Sequence, residues 1–111
     1  MASTETVQVV LVTAPDPEAA ARLARRLVEE GLAACVNLIP GVRSIYRWQG
    51  VLREDAEILL IAKTRATLVD ALVARVCALH PYELPEVIAL AVAGGSAPYL
   101  DWVRSAAELS A

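Results

Sequence analysis

One histidine, two cysteines, few aromatic residues (5%) and ten basic side chains against thirteen acidic ones are all that this 111-residue chain offers for several common chemistries. Each scarcity removes a class of function. A net charge of −3 provides no basic field for a phosphate backbone, and so few aromatic rings provide no stacking platform, so no nucleic-acid partner is expected. Cys35 and Cys77 form neither a CxxC pair nor a zinc spacing and are expected to be free thiols. There is no glycine-rich phosphate cradle and no nucleophile elbow, and the sole histidine has no nucleophile or acid–base partner at fixed spacing. No enzyme is therefore expected. No apolar run approaches the roughly 20 residues of a membrane-spanning helix. Met1 to Thr6 is polar and lacks the hydrophobic region of a signal peptide, so the chain reads as cytoplasmic with no membrane partner.

What is abundant is apolar surface. Hydrophobic residues make up 57% of the chain, and the mean hydropathy of +0.49 is high for a small protein whose surface must be wetted. Residues 1–6 are expected to form a disordered start and residues 7–111 one domain. Val7 to Thr13 is short, β-branched and apolar, as a strand buried on both faces would be. Asp16 before Pro17 predicts a helix N-cap, Gly31 its end, and Ala20, Leu23, Ala24, Leu27 and Val28 its apolar face. Ala33 to Trp48 has no helical period and reads as one long strand, bulged at Pro40–Gly41. A turn at Gln49–Gly50 leads into a second long strand to Thr64.

Arms of that length approach 40 Å at about 3.3 Å per residue, against a radius of gyration near 13 Å for a compact domain, so the tip must project. It carries Ile45, Tyr46, Trp48, Val51 and Leu52, and a partner subunit is the simplest cover. Tyr46 and Trp48 are the candidate interface anchors. The charges along the arm, Arg53 and Glu57 among them, read as a solvated strand face or an interface rim. A sparsely charged helix from about Thr67 to Leu79 should be covered on more than one side, with Cys77 contributing to packing. A strand from Val87 to Val92 follows, and then a helix with Ser96 as N-cap. The order predicts an α+β, ferredoxin-like sandwich, βαββαβ plus a C-terminal helix, with a long projecting β-hairpin.

The densest chemistry lies in His80-Pro-Tyr-Glu-Leu-Pro-Glu-Val87. Pro81 ends the preceding helix, leaving His80 at its C-terminus as a capping imidazolium, a metal ligand or a proton carrier. Tyr82 and Glu83 could close a small polar ligand cleft with Lys63 between subunits, or form a structural hydrogen-bond cluster. Cys35 reads as a small buried hydrophobe, a soft metal ligand or a redox thiol.

The stretches Val12 to Pro15, Gly31 to Asn37, Ile39 to Val42, Ser44 to Tyr46, Trp48 to Gly50, Lys63–Thr64, His80 to Glu83 and Pro85 to Ile88 together resemble the CutA family of divalent-cation tolerance proteins. The resemblance covers nearly the whole chain. It implies a ferredoxin-like protomer in a tight homotrimer, similar in architecture to the PII signalling proteins, with copper or another divalent metal as ligand. Some relatives carry a cysteine and a second histidine where this chain has Val12 and Leu79. With one imidazole per subunit, any Cu²⁺ is expected to bind weakly to moderately, through His80 with oxygen ligands such as Glu83 or a backbone carbonyl rather than through a sulfur-rich cage. The alternative is a PII-like signalling module holding a small anion in intersubunit clefts beside Lys63, Tyr82 and Glu83.

Overall fold

The computed structural model describes residues 5–109 and shows why each local signal matters. β1 (Val7–Ala14) ends at the Pro15–Pro17 break, and α1 (Pro17–Glu29) begins with Asp16 accepting the Ala19 N–H at 2.8 Å. Gly31 takes φ +74°, and a Cβ there would meet the carbonyl oxygen of Glu108 at 1.6 Å, so the C-terminal segment can seat only against a glycine. β2 (Cys35–Trp48) and β3 (Val51–Arg65) form the predicted hairpin, with Gln49 and Gly50 both at positive φ as a twisted two-residue turn requires. The register shifts between Ile39 and Val42, where Pro40 and Gly41 form the bulge. A single 3₁₀ turn (Ala66–Leu68) precedes α2 (Val69–Leu79), followed by β4 (Val87–Ala91) and α3 (Ala97–Ala106).

The four strands form one antiparallel sheet in the order β2-β3-β1-β4, the ferredoxin-like arrangement. On one face Val10, Val12 and Ala14 of β1 stand beside Ile58, Leu60 and Ala62 of β3. The α1 residues Leu23 and Leu27 and the α2 residues Leu72 and Val76 cover them to make the core. Alternation along the strands puts Val9, Leu11, Leu59 and Ile61 on the opposite face, flanked by Ile88 and Leu90 of β4, which are half-exposed. That second face is apolar and largely uncovered by the chain itself. The hairpin runs out of the body as expected, giving extents of 51 × 29 × 22 Å and a radius of gyration of 14.6 Å.

Several expectations change. Val28 is exposed, whereas Ala20, Leu23, Ala24 and Leu27 of the same predicted face are buried. Within this chain α2 buries Leu72 and Val76 and leaves Ala71, Ala74, Cys77 and Ala78 exposed, so Cys77 is not part of the core of its own subunit. Ser96 holds the N-cap position of α3 with its backbone carbonyl, but its side chain makes no capping hydrogen bond. Of the polar start, residues 1–4 lie outside the described residues. Glu5 and Thr6 are held in place: the Glu5 carboxylate accepts from the Thr67 N–H at 2.8 Å and its hydroxyl at 2.7 Å, and the Thr6 carbonyl takes the Ala66 N–H. Among the described residues, no helix is long and apolar enough to cross a membrane.

Candidate functional site

Pro81 and the end of α2 place His80 as the C-cap, with only 8% of its surface exposed. Its ring is held from both sides: Nε2 lies 2.7 Å from the Thr13 carbonyl and Nδ1 lies 3.1 Å from the Tyr82 backbone nitrogen. A carbonyl only accepts and a backbone N–H only donates, so Nε2 carries the proton and Nδ1 accepts. Both ring nitrogens are therefore in use. Through these two hydrogen bonds the ring ties the loop after α2 to the end of β1.

The next link is Tyr82. Its ring lies 4.7 Å from the imidazole, and its hydroxyl donates to Oε2 of Glu57 at 2.9 Å. Glu57, read from sequence as part of a solvated face, is only 7% exposed, so a partner for its carboxylate is a physical necessity. Burial, then the Glu57 hydrogen bond and charge, push the Tyr82 phenol well above its ordinary range. Because the folded value is raised, the fold favours the protonated phenol. That contribution to stability is present below the unfolded phenol value of about 10 and is lost as pH rises above it. Ultraviolet titration of phenolate absorbance should show that Tyr82→Phe removes a transition lying above the ordinary tyrosine range. An unchanged high-pH transition would contradict this assignment.

The braced loop forms one wall of a cleft of about 700 Å³, and the hairpin arm forms the other. From the loop come Pro81, Tyr82, Glu83, Leu84 and Glu86, and from the arm Ser44, Ile45, Tyr46, Trp48, Arg53 and Glu57, with Thr13 at the base. The Tyr46 hydroxyl donates to Asp55 at 2.5 Å, and this hydrogen bond first, with burial and the Asp55 charge, raises the Tyr46 phenol above its ordinary value. A second, small hollow of about 50 Å³ beside His80 has room for little more than water.

The predicted site residues separate into two places. Tyr82 and Glu83 line the cleft together with Tyr46 and Trp48, whereas Lys63 does not. Lys63 pairs across the hairpin with Cys35 and on the other side with Val9, four residues along the sheet from the Thr13 row, or roughly 13 Å. Its ammonium donates to Asn37 and lies 3.6 Å from the Cys35 sulfur. The same offset separates Cys35 from the row His80 touches, while Glu83 is exposed on the loop. His80, Glu83 and Cys35 therefore do not converge, and among the described residues no group of three or more His, Cys, Asp or Glu side chains is placed to hold a metal ion. The donors do not fit a resident copper site within one chain.

Sequence reasoning missed Glu57 and Arg53. For Glu57 a signal existed: it is the last charge before the apolar run Ile58 to Ala62 and stands opposite Val42 immediately after the Pro40–Gly41 bulge. A carboxylate entering a buried run needs a donor.

A four-stranded sandwich with an overlong β2–β3 hairpin, and a braced loop facing that hairpin across a cleft, defines an α+β protein of the ferredoxin-like class. The chain matches the CutA1 divalent ion tolerance protein model over residues 8–106, and it belongs to that family. It is 55% identical over 97 residues to the divalent-cation tolerance protein CutA of Thermus thermophilus, covering 87% of this chain and 94% of that protein. It is 51% identical over 102 residues to the human protein CutA, covering 92% of this chain but only 57% of the human sequence. Among solved structures, the PII-like protein CutA from Nostoc sp. PCC 7120 in apo form superposes with a TM-score of 0.85 at 41% identity, covering 93% of this chain and 99% of that one.

Proposed function

We propose that the protein serves divalent-cation tolerance as a homotrimeric, PII-like ligand-binding module and not as a copper store. The observation that supports this reading is the contrast between the two candidate sites. A cleft of about 700 Å³ has convergent aromatic and polar walls, within the size range of small-molecule pockets. The metal donors, by comparison, are dispersed and His80 is already engaged on both nitrogens.

Assembly is supported by the sheet. β2 and β4 both present unpaired edges, and one face of the sheet is apolar and uncovered. A contact between the β2 edge of one copy and the β4 edge of the next is heterologous and closes into a ring when the rotation suits. Tyr46 and Trp48 stand on the projecting arm, so a neighbouring subunit would close the open side of the cleft.

Any Cu²⁺ bound by this chain is held weakly by exposed oxygens such as those of Glu83. His80 could join only by giving up Thr13 or the Tyr82 N–H. Copper preference at such a site would follow from the Irving–Williams order alone. Calorimetric titration with Cu²⁺ at neutral pH is expected to give a dissociation constant weaker than about 1 μM. A stoichiometric site tighter than that, lost in Cys35→Ser, would overturn the reading.

A further inference from the structure

The walls of the cleft also point to the kind of ligand it takes, an inference that rests on the ligand-module reading above. Three of the chain's five aromatic side chains, Tyr46, Trp48 and Tyr82, face this one hollow. The other two, Tyr99 and Trp102, pair with each other on α3 at 5.6 Å. Tyr46 and Tyr82 are 40% and 37% exposed, so part of each ring is open to a ligand. Both hydroxyls donate to carboxylates, to Asp55 and Glu57. Such donation pushes electron density into the ring and makes its face a better seat for positive charge.

Charge decides the sign of the guest. The cleft is lined by Glu57, Glu83 and Glu86 against the single guanidinium of Arg53, and Lys63 of the same chain lies elsewhere on the sheet. A small anion would therefore meet carboxylates. A hard divalent ion needs several oxygens converging at short range, and no such group is present among the described residues. An organic ammonium suits both features, because it is weakly hydrated, seats over aromatic faces and is attracted by carboxylates without requiring a closed cage.

We infer that the cleft binds an organic ammonium ion of the diamine or polyamine class. One nitrogen sits among Tyr46, Trp48 and Tyr82, and a second faces Glu83 and Glu86 on the loop. The two carboxylates stand on a segment fixed at His80, Pro81 and Pro85, so they are set in place before the ligand arrives.

The test is calorimetric titration of the full-length protein with spermidine, with citrate and ATP as anionic arms. Saturable spermidine binding is expected, weakened about 10-fold by the double substitution Glu83→Gln with Glu86→Gln, both on exposed loop positions where fold and assembly should persist. The control Glu18→Gln with Asp70→Asn makes the same change of net charge on exposed helix positions and should leave the affinity unaltered. Equal weakening in the control, or none in the loop variant, would reduce the binding to general attraction by an acidic protein and overturn the inference. Saturation by citrate or ATP but not spermidine would overturn the ammonium assignment while leaving the ligand-module reading intact. No saturable binding in any arm would defeat both.

Discussion

His80→Ala is expected to destabilise the protein by about 2–4 kcal/mol while leaving its weak affinity for Cu²⁺ nearly unchanged. The substitution removes a buried ring that satisfies the Thr13 carbonyl and the Tyr82 N–H at once. It also deletes the surface against which the Tyr82 ring packs. Each buried polar group left without a partner costs roughly 1–3 kcal/mol, and the loss spreads, because Tyr82 is the donor that satisfies buried Glu57. The loop should then detach from the arm and the cleft should lose a wall. Denaturant unfolding measures the first effect and copper calorimetry the second. If stability is unchanged while copper binding disappears, His80 is a ligand and not a brace.

Trp48→Asp is expected to reduce the assembly to single chains at micromolar concentration. Trp48 is the last residue of β2, half-buried by its own chain, on an arm that also exposes Ile45, Val51 and Leu52. Apolar side chains of this size each contribute about 1.5–3 kcal/mol when covered, and aromatic anchors at the centre of an interface commonly contribute 2 kcal/mol or more. A carboxylate in that position would be buried without a partner in each of the symmetric contacts of a ring. The melting temperature should also become less dependent on protein concentration, since assembly no longer stabilises the fold by mass action. An unaltered mass for Trp48→Asp would place the interface elsewhere on the molecule.

The parts of this fold that could be read in the sequence are those set by local chemistry. Asp16–Pro17 marks a helix start because a carboxylate cap and a residue without an N–H both suit a first turn. Pro40–Gly41 marks a bulge, and Gln49–Gly50 a turn at positive φ, because few other pairs tolerate those backbones. Even the projection of the hairpin follows from counting residues against the size of the body.

The site was harder to read, because its composition depends on register. Within one chain, strand pairing sets Lys63 opposite Cys35 and Val9, a full four residues from the row at the base of the cleft that Tyr82 and Glu83 line, so these three could meet only across subunits. Nothing within Lys63-Thr64 encodes that offset. Glu57 looked like one more charge on a mixed arm, and only the docking of the His80–Tyr82 loop buries it. The engagement of His80 was hidden for a related reason: its ring is held by the Thr13 carbonyl, 67 positions away, and by the Tyr82 N–H. The bare side of α2 with Cys77 could not be anticipated either, since an apolar helix with few charges looks the same whether its second side meets its own chain or another.

The most direct measurement is the mass of the wild-type protein in solution by light scattering across a dilution series. Three copies of the 11.8 kDa chain should give about 35 kDa, persisting to micromolar concentration. A mass near that of one chain throughout the series would contradict the trimeric module, because the apolar face and both sheet edges would then stand open to water with no copy to cover them.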